Sequence, residues 1–123
     1  MRALYKSALL VGGLLLGSMV WAQKTQLLVY TALEVDQLKA YQDGFNKVHP
    51  EIDIKWVRDS TGVITAKLLA EKSNPQADAV MGVAATSLAL MKKNGMLEPF
   101  APLNLDAIMP QYRDKANPPA WWG

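Results

Sequence analysis

Two hydrophobic periods alternate along this chain. "QLLVY", ending at Tyr30, is a short apolar run read as a buried strand. "VDQLKAYQDGFNKVHP" then spaces Val35, Leu38, Tyr41, Phe45 and Val48 by three or four, which predicts an amphipathic helix stopped by Pro50. "EIDIKWV" sets Ile52, Ile54 and Trp56 against Asp53 and Lys55, the period of a strand with one wetter face. A second helix is predicted from about Gly62 to Lys72, broken by "SNPQ". "ADAVMGV" reads as a third apolar strand. "ATSLALMKKNG" has hydroxyls at its start, two lysines in its last turn and Gly95 as a stop, so it reads as a third helix. The prolines of "PFAPLNLDAIMP" predict a loop with one short helical turn.

Strands and helices in this order, joined by right-handed crossovers, predict the α/β class: an open, mostly parallel sheet with helices on both faces. All loops leaving strands toward helices then share one rim, where ligands of such sheets bind. Those loops are "YTALE", "RDSTGV" and "GVAATS". Each carries a threonine, and between the hydroxyl and the glycine or alanine positions only Leu33 is a bulky apolar residue, so a shallow polar pocket is expected there.

Each rim loop allows two readings. In Ser60, Thr61 and Gly62 a hydroxyl could simply cap the helix, which needs only one oxygen. Two hydroxyls followed by a glycine, with no Glu or Gln completing a capping box at Val63 or Ile64, also suit an anion held by free amides and the helix dipole. Thr31 and Glu34 form T-x-x-E, a capping box by its spacing; Glu34 could instead face a ligand's ammonium group. Thr86 and Ser87 could be caps alone, yet Ala84 and Ala85 leave room near the rim that a cap does not need. His49, alone at a helix end, reads as structural rather than as a metal ligand. Asp43, Asp53, Asp59 and Asp78 read as solvated or turn residues, and Met81, Met91, Met96 and Met109 as core fillers. No nucleophile paired with a base, no carboxylate pair in one loop, no metal set and no glycine-rich phosphate loop is visible in the sequence, so no catalytic, metal or cofactor residues are assigned.

The amino terminus changes the picture of where the chain works. "MRALYK" is basic, "SALLVGGLLLGSMV" is uncharged and apolar, and "VWAQ" offers a small residue for cleavage after Ala22. The 14 residues between Lys6 and Trp21 fall short of the roughly 20 that a membrane span needs. Residues 1–22 are therefore expected to be a signal peptide and 23–123 one α/β unit in the periplasm. Losing Arg2 and Lys6 takes the basic residues from 13 to 11, against 11 acidic ones, so bulk charge gives no argument for nucleic acid. With no cysteine, the core must carry stability without disulfides. "RDKANPPAWWG" shows no closing helix and no returning turn, and a fragment of a longer product is expected, with Trp121 and Trp122 exposed.

Over Leu27 to Gly123 the chain resembles the amino-terminal lobe of periplasmic substrate-binding proteins of ABC importers. "DSTGVITAKLLAEK" and "AATSLAL" are the most specific parts, and within the superfamily they resemble the 2-aminoethylphosphonate-binding branch, akin to iron(III)-binding proteins. The resemblance implies the first lobe of a two-lobed, type II binding protein, truncated before its crossover strands and second lobe. It implies a monomer that captures a small anionic or zwitterionic solute and delivers it to an inner-membrane ABC permease. Ser60, Thr61, Gly62 and Val63 match the loop that grips phosphonate oxygens; Thr31, Ala32 and Glu34 match the first loop, and Ala84, Ala85 and Thr86 the third. Met81 stands near a position where the family usually shows an aromatic residue. Iron(III) binding is the alternative; iron relatives often place a His with an acid in the first loop, where "TALE" has only the acid. A periplasmic phosphoester hydrolase and a truncated, non-functional product are further alternatives.

Overall fold

A computed structural model describes residues 23–123; the expected signal peptide over 1–22 lies outside them. The order is β1 (Thr25–Thr31), α1 (Val35–Val48), β2 (Ile52–Arg58), α2 (Thr61–Ala70), β3 (Ala79–Met81) and α3 (Ala85–Lys93). The predicted class holds: the three strands form a parallel sheet in the order β2-β1-β3. No helix among the described residues is long and apolar enough to cross a membrane.

From β1 the chain crosses to β2 on one side, then passes back over β1 to β3 on the other. Right-handed crossovers in opposite directions put α1 on one face and α2 on the other. Burial agrees. Val29, Tyr30 and Thr31 are consecutive and all buried, and successive strand residues point to opposite faces, so both faces are covered at this end of β1. On the α1 face, Trp56 Nε1 donates to Gln42 Oε1 at 2.6 Å. On the other, the Tyr30 hydroxyl donates to the Glu71 carboxylate at 3.0 Å, and Lys67 Nζ lies 5.2 Å from the Tyr30 ring centre. Burial and the Glu71 carboxylate beside it push the Tyr30 phenol above its ordinary range. Ile64 of α2 and Met91 of α3 are fully enclosed in the layer beneath.

β2 is an edge strand, and on its wetter face Asp53 and Lys55, two residues apart, pair along the strand at 2.8 Å. β3 is shorter than its apolar run because Asp78 intervenes. Its backbone N–H donates to the Leu28 carbonyl at 2.9 Å while its carboxylate accepts the Leu28 N–H at 2.8 Å, so a side chain stands in for the ladder. Asp78 is thus a bend residue just before β3, as its reading as a turn residue anticipated, and it is tied to β1 through Leu28.

Three sequence expectations need correction. α2 starts one residue earlier than predicted because Ser60, not Thr61, takes the cap. The proline-rich segment forms two short 3-10 turns, Leu105–Ala107 and Pro110–Tyr112, and Met109 in it is exposed rather than core. The last residues do turn back. Asp114 N–H donates to the Trp121 carbonyl at 3.0 Å, and Gly123 N–H to Tyr112 at 2.9 Å. One Asp114 oxygen pairs with Lys92 at 2.6 Å while the other accepts Ala120 N–H at 3.0 Å. Lys92 first, then the Ala120 amide, hold the Asp114 carboxyl below the usual aspartate range. Trp121 and Trp122 are consequently half-buried, with the Trp122 ring 6.1 Å from that of Phe100.

Candidate functional site

In open parallel sheets of order 2-1-3 ligands as a rule bind outside the carboxyl ends of the strands, at the switch point between β1 and β3, so the rim is where a site is sought. The parallel register aligns the strand ends: Thr31 stands beside Arg58 on one side and beside Met81 on the other. All three rim loops therefore leave the sheet at one level. Asp59 N–H extends the ladder by donating to the Thr31 carbonyl at 3.2 Å.

The start of α2 separates the two jobs that the sequence left joined. Ser60 Oγ accepts the Val63 N–H at 3.3 Å and its carbonyl accepts Ile64 N–H at 2.9 Å. Ser60 N–H is itself held by Asp59 Oδ1 at 2.7 Å. Cap and helix are thereby satisfied without Thr61. The Thr61 hydroxyl, and the amides of Thr61 and Gly62, donate to no group among the described residues. No acidic side chain stands in the first turn of α2. What remains is a hydroxyl and two amides at the positive end of a helix dipole, a set that suits a tetrahedral oxyanion.

α3 begins differently. Its N-cap is Ala84, with no side-chain cap, so the hydroxyl caps read at Thr86 and Ser87 do not form. Thr86 is exposed at the rim. Ser87 is buried: its hydroxyl meets Thr65 Oγ1 at 2.8 Å, and Thr65 Oγ1 lies 2.6 Å from the Thr61 carbonyl. A hydroxyl has one proton, so Thr65 gives its own to the Thr61 carbonyl and accepts from Ser87. This relay ties the first turns of α2 and α3 together.

In the first loop the expected Thr31–Glu34 capping box does not form. Thr31 is the last residue of β1, wholly buried, and its Oγ1 accepts the Leu33 N–H at 3.1 Å; it shapes the turn from beneath the rim instead of facing the crevice. Glu34 is the N-cap of α1, and its N–H donates to Gln37 Oε1 at 3.1 Å. Leu33 turns inward against Gly82 of the third loop.

Sequence reasoning missed Arg58. Its Nε donates to the Leu33 carbonyl at 2.7 Å and its Nη2 pairs with the Glu34 carboxylate. The available signal was period: Arg58 continues the series Ile52, Ile54, Trp56 onto the face that carries α1. His49, by contrast, sits where expected, at the C-cap of α1, with Nδ1 3.2 Å from Glu51. The described residues hold no cluster of three or more His, Cys, Asp or Glu suited to a metal ion. Of the residues assigned to the site, Ala32, Glu34, Ser60, Thr61, Gly62, Val63, Ala84, Ala85 and Thr86 lie exposed or half-buried along the rim, and Thr31 beneath it.

Known proteins resemble this chain in sequence and fold. The chain is 40% identical over 62 residues to the probable ABC transporter periplasmic-binding protein y4fP of Sinorhizobium fredii, covering 50% of this chain and 17% of that protein. Among solved structures it is similar to the periplasmic binding protein AfuA from Actinobacillus pleuropneumoniae, determined with exogenous fructose-6-phosphate bound. The TM-score is 0.68 at 29% identity, over 76% of this chain and 29% of that one. It shares its fold with Trichodesmium IdiA (FutA), determined with iron and citrate, at TM-score 0.65 and 21% identity over 80% of this chain and 30% of that one. The chain spans less than a third of the length of each of these relatives. Residues 31–123 match the family of bacterial extracellular solute-binding proteins, and with most of its length inside that match the chain belongs to this family.

Proposed function

We propose that this protein is the extracytoplasmic solute-binding component of an ABC importer, without enzymatic activity, that captures a small phosphorus oxyanion, 2-aminoethylphosphonate best of all, for an inner-membrane permease. The observation that carries the reading is the start of α2, where Ser60 completes the cap alone and leaves the Thr61 hydroxyl and the Thr61 and Gly62 amides unengaged. Hydrogen bonds to a charged group contribute about 1.5–3 kcal/mol each, so three such donors are enough to anchor an oxyanion. Ala84 and Ala85, exposed beside Thr86, leave room for the ligand on the opposite wall. AfuA, with its bound sugar phosphate, supports the same class of headgroup. Glu34 is the group for the amine of an aminophosphonate. Coverage of 29% of AfuA suits a first lobe whose ligand is clamped against a second one, and the signal peptide expected over residues 1–22 suits export.

The test is calorimetric titration of the full-length gene product with 2-aminoethylphosphonate, fructose-6-phosphate, inorganic phosphate and ferric citrate. Binding of the aminophosphonate at least about tenfold tighter than the other three is expected. Saturable binding of ferric citrate alone would overturn the reading in favour of iron(III).

A further inference from the structure

We infer that Arg58 is the positioning and specificity-determining residue of the crevice: it fastens the first rim loop and neutralises Glu34, so that an oxyanion can enter beside a carboxylate. This rests on the solute class proposed above. Arg58 closes the edge strand β2, next to Thr31 in register, and its guanidinium reaches across to the neighbouring loop. Two separate nitrogens do two things there: Nε holds a backbone carbonyl, that of Leu33, at 2.7 Å, and Nη2 holds the Glu34 carboxylate. A lysine has a single ammonium and no planar fork, so it cannot hold the two acceptors with separate nitrogens in this fixed geometry.

Stability does not explain the pair. The Glu34 side chain is 71% exposed and that of Arg58 36%, and exposed ion pairs add little to folding. Binding does explain it. The rim carries Glu34, Asp36 in the first turn of α1, and Asp59; Asp36 accepts the Gln37 amide, and Asp59 is committed to the Ser60 amide at the very helix start offered to the anion. Without Arg58 an incoming anion would meet three negative charges and no positive one; with it Glu34 is neutralised and the first loop itself carries no net charge. Glu34, still largely open to solvent, stays available to a ligand's ammonium. Arg58 thereby sets how strongly the crevice prefers ligands with an amine over those without one.

The experiment compares 2-aminoethylphosphonate with ethylphosphonate, which lacks only the amine, in the full-length gene product carrying Arg58→Gln, Arg58→Lys, Glu34→Gln or both Gln substitutions. Arg58→Gln is expected to weaken ethylphosphonate about tenfold or more but the aminophosphonate at least about threefold less, because the freed carboxylate meets the amine. Arg58→Lys keeps the charge and should fall between wild type and Arg58→Gln for ethylphosphonate. Glu34→Gln in the Arg58→Gln background should restore ethylphosphonate to within about threefold of wild type, since both charges are gone. A merely structural role moves both ligands equally and gives no restoration, and that result overturns the inference. Amide hydrogen exchange without ligand keeps the two proposals apart. Arg58→Gln is expected to speed exchange at Leu33 to Val35 about tenfold. If wild type binds neither phosphonate, the solute class fails; if exchange in those amides is unchanged, the positioning role of Arg58 fails by itself.

Discussion

Leu33 and Gly82 lock two rim loops together: a Cβ placed on Gly82 would stand 2.2 Å from Leu33 Cγ, and Gly82 holds φ at +65°. Only glycine meets both demands, the left-handed backbone and the absence of a side chain. Gly82→Ala is expected to lower stability by about 1–2 kcal/mol from the backbone alone, and further from the contact. Leu33→Ala in the same chain should recover the contact share and leave the backbone share. Urea unfolding of the single and double variants measures this; equal losses with and without Leu33 would refute the contact.

Ser60 and Thr61 are adjacent hydroxyls with different partners, so their variants should separate. Ser60→Ala removes the cap and should cost about 1 kcal/mol of stability. Thr61→Ala loses no bond within the described residues and should leave the melting temperature nearly unchanged, while weakening the phosphonate about tenfold or more in the full-length product. Unchanged affinity with Thr61→Ala would return the stretch to a plain helix start.

Asp114 makes the carboxyl-terminal turn acid-sensitive. Its carboxyl is depressed by Lys92 and the Ala120 amide, so the stability it contributes is fully present above the ordinary aspartate range and lost as pH falls through the lower folded value. Indole NH resonances of Trp121 and Trp122 should therefore shift together only below about pH 4. In Asp114→Asn they should no longer follow pH in that window. A transition near neutrality would contradict the assignment.

Ile64 is fully enclosed between α2 and the sheet. Its truncation removes buried methyl and methylene groups, and Ile64→Ala should destabilise by about 2–5 kcal/mol. Val63→Ala, one residue earlier and half-exposed, should change stability by less than about 1 kcal/mol. Thermal unfolding compares them, and equal effects would mean that the helix face is wrongly assigned.

The sequence by itself determined the alternation of strands and helices, because burial leaves its period in the order of residues. "EIDIKWV" and "VDQLKAYQDGFNKVHP" could be placed to within a residue or two for that reason. Parallel pairing followed, as did a rim built from three loops, since a right-handed crossover leaves few alternatives. Partners were not legible. Which of Ser60 and Thr61 caps α2, whether Thr31 faces the crevice or the core, and whether Glu34 meets Thr31, Gln37 or Arg58 all depend on distances across loops. Arg58 lies 24 positions from Glu34, Ser87 lies 22 from Thr65 and Asp78 lies 50 from Leu28. Local spacing says nothing about such pairs. Only the packed sheet, by fixing the register of β1 against β2 and β3, brings these side chains within the few ångströms where a hydrogen bond or an ion pair can act.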